Sequence, residues 1–164
     1  MKRVAIIMGS KSDYPVVQKA EKMLDSFGVG YETRIISAHR TPKQAEEFAA
    51  NAEANGFGCI IAAAGKAAHL AGVLAATTAL PVIGIPMKGG AMDGLDALLA
   101  TVQMPSGIPV ATVAINGGAN AALLAAQIIA VEDAALAARL DEKRAKDAAV
   151  VLEKDAAICE KYSR

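Results

Sequence analysis

His39 and His69 are the only two histidines of this 164-residue chain. Each falls in a short polar motif directly after a strand-like run. His39 lies in Ser37-Ala38-His39-Arg40-Thr41-Pro42, after Tyr31–Ile36, and His69 in Gly65-Lys66-Ala67-Ala68-His69-Leu70, after Cys59–Ala64. A third polar motif, Gly9-Ser10-Lys11-Ser12-Asp13, follows Val4–Met8. An imidazole titrates near neutral pH and can carry protons to and from a substrate. Arg40 offers a rigid two-pronged donor for a phosphate or carboxylate, and Ser37 can donate to the same group. Ser10 and Ser12 add hydroxyls at a strand, glycine turn and helix start, a setting whose free N–H groups suit an anion. Asp13 adds one carboxylate, Gly65 permits close backbone approach, and Lys66 adds a cation.

Each motif also has a purely structural reading. Ser12 or Asp13 can simply cap a helix. Thr41-Pro42 can start one beside an incidental His and Arg, His69 can be a hydrogen-bonded core residue, and Lys66 a solvent-facing lysine. Position argues for chemistry, because ligands of α/β sheets bind outside the carboxyl ends of the strands, and all three motifs follow strand-like runs. Several chemistries are disfavoured. Two histidines without a cysteine or acidic cluster at ligand spacing give no metal site. Neither a Walker A loop nor G-x-G-x-x-G is present, and no Gly-x-Ser-x-Gly elbow marks acyl transfer. The strand ends carry no aromatic side chain to stack on a flavin. A phosphosugar isomerase would need a carboxylate base there, and Asp13 is the only acid. A non-catalytic nucleotide-binding module would need the serines, Asp13 and Arg40 but not two histidines.

The elements that must position these residues follow from apolar patterning. Val4–Met8, Tyr31–Ile36, Cys59–Ala64, Pro81–Ile85 and Val110–Ile115 read as strands, the first as one buried on both faces. Between them run helices: Asp13 to about Phe27, stopped by Gly28; Thr41-Pro42 to near Asn55-Gly56; Ala67–Ala76; and Gly94–Val102. Ala121–Ile129 and Glu132–Lys161 complete the chain. Alternating strands and helices predict a parallel sheet with right-handed crossovers. In a flavodoxin-like order, 2-1-3-4-5, the first three strands are neighbours and their motifs share one crevice. The length suits one domain over residues 1–164, with a C-terminal helical segment at about 132–161.

Formal net charge is zero, so neither nucleic acid nor an anionic membrane is an expected partner. Met1-Lys2-Arg3 before Val4–Met8 superficially looks like a signal peptide, but the apolar part is too short. Cys59 reads as a small core residue, which fits a reducing, cytoplasmic setting. Composition is 54% hydrophobic but only 4% aromatic, without tryptophan. That balance suggests apolar surface covered by further copies of the chain. Lys66, His69 and Pro81 break the apolar stretch Cys59–Met87, so it is not read as a membrane span.

The three motifs closely resemble those of the N5-carboxyaminoimidazole ribonucleotide mutase family of purine biosynthesis. So do Leu80-Pro81-Val82-Ile83-Gly84-Ile85-Pro86, Val102-Gln103-Met104-Pro105-Ser106-Gly107-Ile108-Pro109 and Asn120-Ala121-Ala122-Leu123-Leu124-Ala125. The similarity covers roughly residues 3 to 140. It implies a three-layer αβα sandwich, a homo-octamer, and no metal or organic cofactor. The implied reaction moves a carboxylate from the exocyclic N5 to ring C4 of an aminoimidazole ribonucleotide, with CO2 held in the pocket between the two steps. Asp13 would then hold ribose hydroxyls and Ser10, Ser37 and Arg40 the phosphate. His39 would transfer the proton, and His69 would line the same pocket. Ser12, Gly65 and Lys66 are further substrate-binding candidates read from the residues themselves. A related branch carboxylates aminoimidazole ribonucleotide directly. Its members tend to have Lys at the position of Arg40 and to lack Ala-Ala-His-Leu, so this chain resembles the mutase branch. Lys66 departs from the pattern, since many mutases carry Gly or another uncharged residue there.

Overall fold

The computed structural model of the chain describes residues 1–162. Within them, strands and helices alternate: β1 (Arg3–Met8), α1 (Tyr14–Ser26), β2 (Tyr31–Ile35), α2 (Pro42–Asn51), β3 (Phe57–Gly65), α3 (Leu70–Ala75), β4 (Val82–Met87), α4 (Leu95–Val102), β5 (Ala111–Thr112), α5 (Gly118–Ala130) and α6 (Ala134–Tyr162). All strand pairs are parallel and the sheet order is β2-β1-β3-β4-β5, the flavodoxin-like order expected from the sequence. Helices α1 and α5 cover one face, with α6 packed outside α5; α2, α3 and α4 cover the other. No helix among the described residues is long and apolar enough to cross a membrane.

The strand sequences explain the two-faced core. Along β1, Val4, Ile6 and Met8 point to the α1/α5 side, while Ala5 and Ile7 point to the α2/α3 side. Alternation with both faces covered is why β1 reads as one unbroken apolar run. Ile6, Ile61 and Ile83 are completely shielded from solvent, each worth roughly 1.5–3 kcal/mol of burial. Cys59 is equally buried, has no disulfide partner, and burial pushes its thiol up to about 12. It is an inert core residue.

Element ends differ from the sequence expectation in ways that shape the site. Strand β3 runs longer, from Phe57 to Gly65. It opens with an irregularity that pairs Arg3 with Phe57 and Val4 with Cys59, leaving Gly58 as the extra residue. Helix α3 starts at Leu70 rather than Ala67, so Lys66 to His69 form a non-helical connection. Helix α2 ends at Asn51, and turns carry the chain to Gly56. Strand β5 is two residues rather than six: after Val113 N–H bonds the Gly84 carbonyl, the chain turns at Ala114–Gly117, where Asn116 N–H still bonds the Pro86 carbonyl of β4.

Alanine and glycine contacts set the layer spacing. At Gly118, the first residue of α5, an added Cβ would run into the Val16 carbonyl of α1. Both partners are main chain, so the two helices would have to separate. Gly118→Ala is therefore expected to destabilise the fold by about 1–3 kcal/mol, read as a lower urea midpoint at unchanged slope. An unaltered midpoint would contradict this account of the α1–α5 contact.

Candidate active site

The carboxyl ends of β2, β1 and β3 lie side by side and open into a cavity of about 430 Å³. Ser10, Ser12 and Asp13 reach it from the β1 end; Ser37, His39 and Arg40 from the β2 end; Gly65, Lys66 and His69 from the β3 end. All nine residues singled out in the sequence thus line one cavity. The sequence reading missed a fourth contributor. Met87, Lys88, Gly89 and Gly90, at the β4 end, close the remaining side. The available signal was Lys-Gly-Gly directly after the fourth apolar run.

Local hydrogen bonds fix each motif. After β1, a short 3-10 turn spans Lys11–Asp13, and Ser10 caps it by accepting from the Ser12 N–H (3.3 Å). The Ser12 hydroxyl lies within reach of Ser10 Oγ (3.0 Å) and Asp13 Oδ1 (3.3 Å). Asp13 occupies the N-cap position of α1, but its side chain makes no capping bond. This corrects its reading as a helix cap and leaves the carboxylate facing the cavity. After β2, Thr41 clamps the turn. Its hydroxyl accepts from Ser37 N–H (2.9 Å) and donates to Ser37 C=O (3.0 Å), while Thr41 N–H bonds the same carbonyl (2.8 Å). Thr41 therefore holds the loop that presents His39 and Arg40, rather than capping α2 through its side chain. Ser37 Oγ accepts from Arg40 N–H (3.2 Å).

The two imidazoles meet. His39 Nε2 and His69 Nδ1 are 2.8 Å apart, with the rings nearly perpendicular at 86° and their centroids 4.9 Å apart. One nitrogen of this pair must carry a hydrogen and the other accept it. The outer atoms, His39 Nδ1 and His69 Nε2, then hold one donor and one acceptor between them. When the outer acceptor takes up a proton, the shared proton crosses and the outer donor releases one, those roles exchange. The arrangement can deliver a proton at one place and collect one at another without any net change in its charge.

The charges around the cavity favour an anionic ligand. The Arg40 guanidinium and the Lys66 ammonium meet no carboxylate within ion-pairing distance among the described residues, whereas Lys88 pairs with Asp93 at 3.2 Å. The one acid lining the cavity is Asp13. Burial holds its carboxyl above the ordinary carboxylate range, against the opposing pull of the Ser12 side chain and the Ser10 backbone. An acid pushed upward in a cleft is characteristic of functional sites.

Residues 3–149 match the family model described as AIR carboxylase. The chain belongs to this family. Among curated AIR carboxylase relatives, it is similar to the N5-carboxyaminoimidazole ribonucleotide mutase of Pyrococcus abyssi, 58% identical over 132 residues that cover 80% of this chain and 76% of that protein. The protein of the same name from Thermotoga maritima is 51% identical over 154 residues, covering 94% and 90%. Among solved structures, Treponema denticola PurE superposes with a TM-score of 0.86 at 32% identity, covering 94% of this chain and 96% of that one.

The Asp13 environment has a testable consequence for stability. Because the folded pKa lies above the unfolded value of 3.8, the protonated form stabilises the fold. That contribution is fully present below the unfolded value and is lost as pH rises through the folded value. At neutral pH the charged carboxylate is a net cost. Asp13→Asn is expected to raise Tm at pH 7, and the gain should shrink as pH falls toward 3.8. A lower Tm for the variant at pH 7 would contradict the burial argument.

Proposed function

We propose that this chain converts N5-carboxyaminoimidazole ribonucleotide to 4-carboxy-5-aminoimidazole ribonucleotide in purine biosynthesis, acting as an intramolecular carboxylate mutase. The observation that carries the reading is the His39–His69 hydrogen bond at 2.8 Å, beside an Arg40 without a carboxylate partner. Such a site suits a substrate with a phosphate and a reaction that needs one proton given and one taken. Family membership and the named relatives support the same activity. Arg40 and Ala67-Ala68-His69-Leu70 favour the mutase over direct carboxylation of aminoimidazole ribonucleotide with CO2.

In the proposed mechanism Arg40, Ser10 and Ser37 bind the 5′-phosphate, and Asp13 accepts hydrogen bonds from the ribose hydroxyls. Ser12 and Gly65 complete the wall around the substrate. The N5–carboxylate bond breaks, CO2 leaves, and N5 takes a proton from the histidine pair. The electron-rich C4 then attacks the trapped CO2 to form the new C–C bond. The pair recovers a proton from C4 as the ring regains aromaticity. One proton is given and one returned, so the reaction balances as an isomerisation. Holding CO2 against C4 removes a bimolecular search, an effect worth up to ~7–11 kcal/mol. A wall that excludes water protects the intermediate.

The pair also bears on metal chemistry. A metal shared by two imidazole nitrogens would hold each at about 2.0–2.1 Å, and so about 3.3 Å apart at the tetrahedral angle. His39 Nε2 and His69 Nδ1 are 2.8 Å apart, a spacing for a proton rather than a cation. The ring amine supplies the electrons for attack on CO2, so the chemistry does not call for a Lewis acid.

Assembly into a homo-octamer is part of the proposal. Its support is the exposed apolar surface on α4 (Met92 just before it, then Leu95, Leu99 and Val102) and on α6 (Val151, Leu152, Ile158 and Tyr162). Patches of this kind mark surfaces that other copies cover. Light scattering at micromolar concentration is expected to give eight times the 16.8 kDa chain mass. A fully active monomer would contradict the octamer.

The activity is tested by incubating the protein with N5-carboxyaminoimidazole ribonucleotide without ATP or added metal, and following the C4-carboxylated isomer. Product is expected with the wild type. His39→Asn should lose at least about 100-fold in kcat while ribonucleotide binding survives. A variant that kept about a tenth of wild-type kcat would remove His39 from proton transfer.

A further inference from the structure

Lys66 follows the last residue of β3, precedes His69 by three positions, and lines the cavity. Its φ is 55°, in the left-handed region that a side chain rarely adopts. Strain of this kind persists at ligand sites because the geometry it gives is used there. The opposite wall is shaped to receive the lysine. A Cβ added at Gly90 would come within 3.4 Å of Lys66 Cγ and 3.8 Å of Lys66 Cε, so the aliphatic stem lies along bare backbone of the β4–α4 loop. The stem has a seat, whereas the ammonium meets no carboxylate within 4 Å among the described residues. The nearest acid on that wall is Asp96: its Oδ2 lies 3.6 Å from the same added Cβ, but it forms no ion pair with Lys66, and its Oδ1 accepts from the Ala97 N–H at 2.9 Å. The other lysine of the cavity, Lys88, is already paired with Asp93.

The site therefore offers two unanswered cations in different places. Arg40 stands at the β2 end and Lys66 at the β3 end, with β1 between them. Two strand spacings separate the ends, about 10 Å. A substrate carrying a phosphate at one end and a carboxylate at the other presents two anions, and Arg40 with Ser10 and Ser37 accounts for only one. Lys66 stands at the β3 end, apart from the Ser10, Ser37 and Arg40 set assigned to the phosphate, so its anion is the one on the heterocycle.

We propose that Lys66 binds the migrating carboxylate and makes the site select carboxylated ribonucleotides over the same ribonucleotide without its carboxyl group. This rests on the mutase reading above. Both the substrate and the product carry that carboxylate; aminoimidazole ribonucleotide does not. Phosphate and ribose contacts are shared by all three, so Lys66 supplies the difference. Its left-handed backbone is a stability cost retained for that discrimination.

The test is calorimetric titration of wild type, Lys66→Met and Lys66→Gly with 4-carboxy-5-aminoimidazole ribonucleotide and, separately, with aminoimidazole ribonucleotide. Loss of a charge-assisted contact should weaken the carboxylated ligand about tenfold in both variants. Binding of the uncarboxylated ligand should change by no more than about twofold. Lys66→Gly, with its backbone strain relieved, should melt at or above the wild-type temperature, so weaker binding cannot be laid to poor folding. Equal weakening of both ligands would overturn the proposal and assign Lys66 to the phosphate. No change with either would overturn it and leave Lys66 a surface residue. Both of those results are compatible with wild-type turnover, and so with the mutase reading. A wild type that binds neither ligand and turns over no substrate would sink both.

Discussion

The parallel pairing of β1 with β2 on one side and β3 on the other is the constraint on which the site depends. Parallel strands end at the same edge of a sheet, so the residues after β1, β2 and β3 emerge together. With β1 central and buried on both faces, the β2 and β3 ends flank it, and His39 and His69 meet at 2.8 Å. No antiparallel arrangement of the same strands would put three carboxyl-terminal motifs side by side. The crossover helices that make parallel pairing possible also bury both faces of the sheet, which fixes the platform from which the loops project.

The core is built to let those layers approach closely. Gly118 sits against the α1 main chain, and Gly84 leaves room for Thr101 of α4 and Val110. Small residues at these places exchange side-chain contact for backbone proximity, and the large aliphatics of β1, β3 and β4 supply the burial. The same aliphatic, aromatic-poor composition leaves apolar side chains on the outer faces of α4 and α6, where no element among the described residues covers them.

Against that stable frame the site holds several unfavourable features. A carboxyl is held above its normal range by burial, two cations have no acidic partner, and a lysine sits in left-handed backbone. The half-buried carboxyl and the left-handed backbone are costly in isolation, and with the two exposed cations they describe a cavity suited to an anionic ligand that bears hydroxyls. Rigid positioning accompanies the cost. Three hydrogen bonds between Thr41 and Ser37 hold the loop that carries His39 and Arg40. Glycines at the β4 end give the opposite wall the room that the lysine stem occupies.

The sequence by itself determined the strand and helix alternation, the parallel sheet and the nine residues around the cavity, because β1, β3 and β4, buried on both faces, read as apolar runs with polar motifs standing out at their ends, while the mixed Tyr31–Ile35 still reads as the half-exposed edge strand it forms. The motifs also carried the family resemblance. What only the tertiary structure decided are relations between residues distant in the chain. That His39 and His69 share a hydrogen bond across 30 residues follows from sheet order and loop shape, which local patterning does not encode. Whether Asp13 and Thr41 cap their helices is not legible in the sequence, since a helix start looks the same whether its side chain bonds the helix or turns away. The shortness of β5 and the late start of α3 depend on where neighbouring strands stop pairing. The β4 wall escaped notice because Lys-Gly-Gly has no chemistry of its own until three other strand ends face it. Patterning along the chain sets which residues leave the sheet at its active edge; only the packed sheet sets which of them touch.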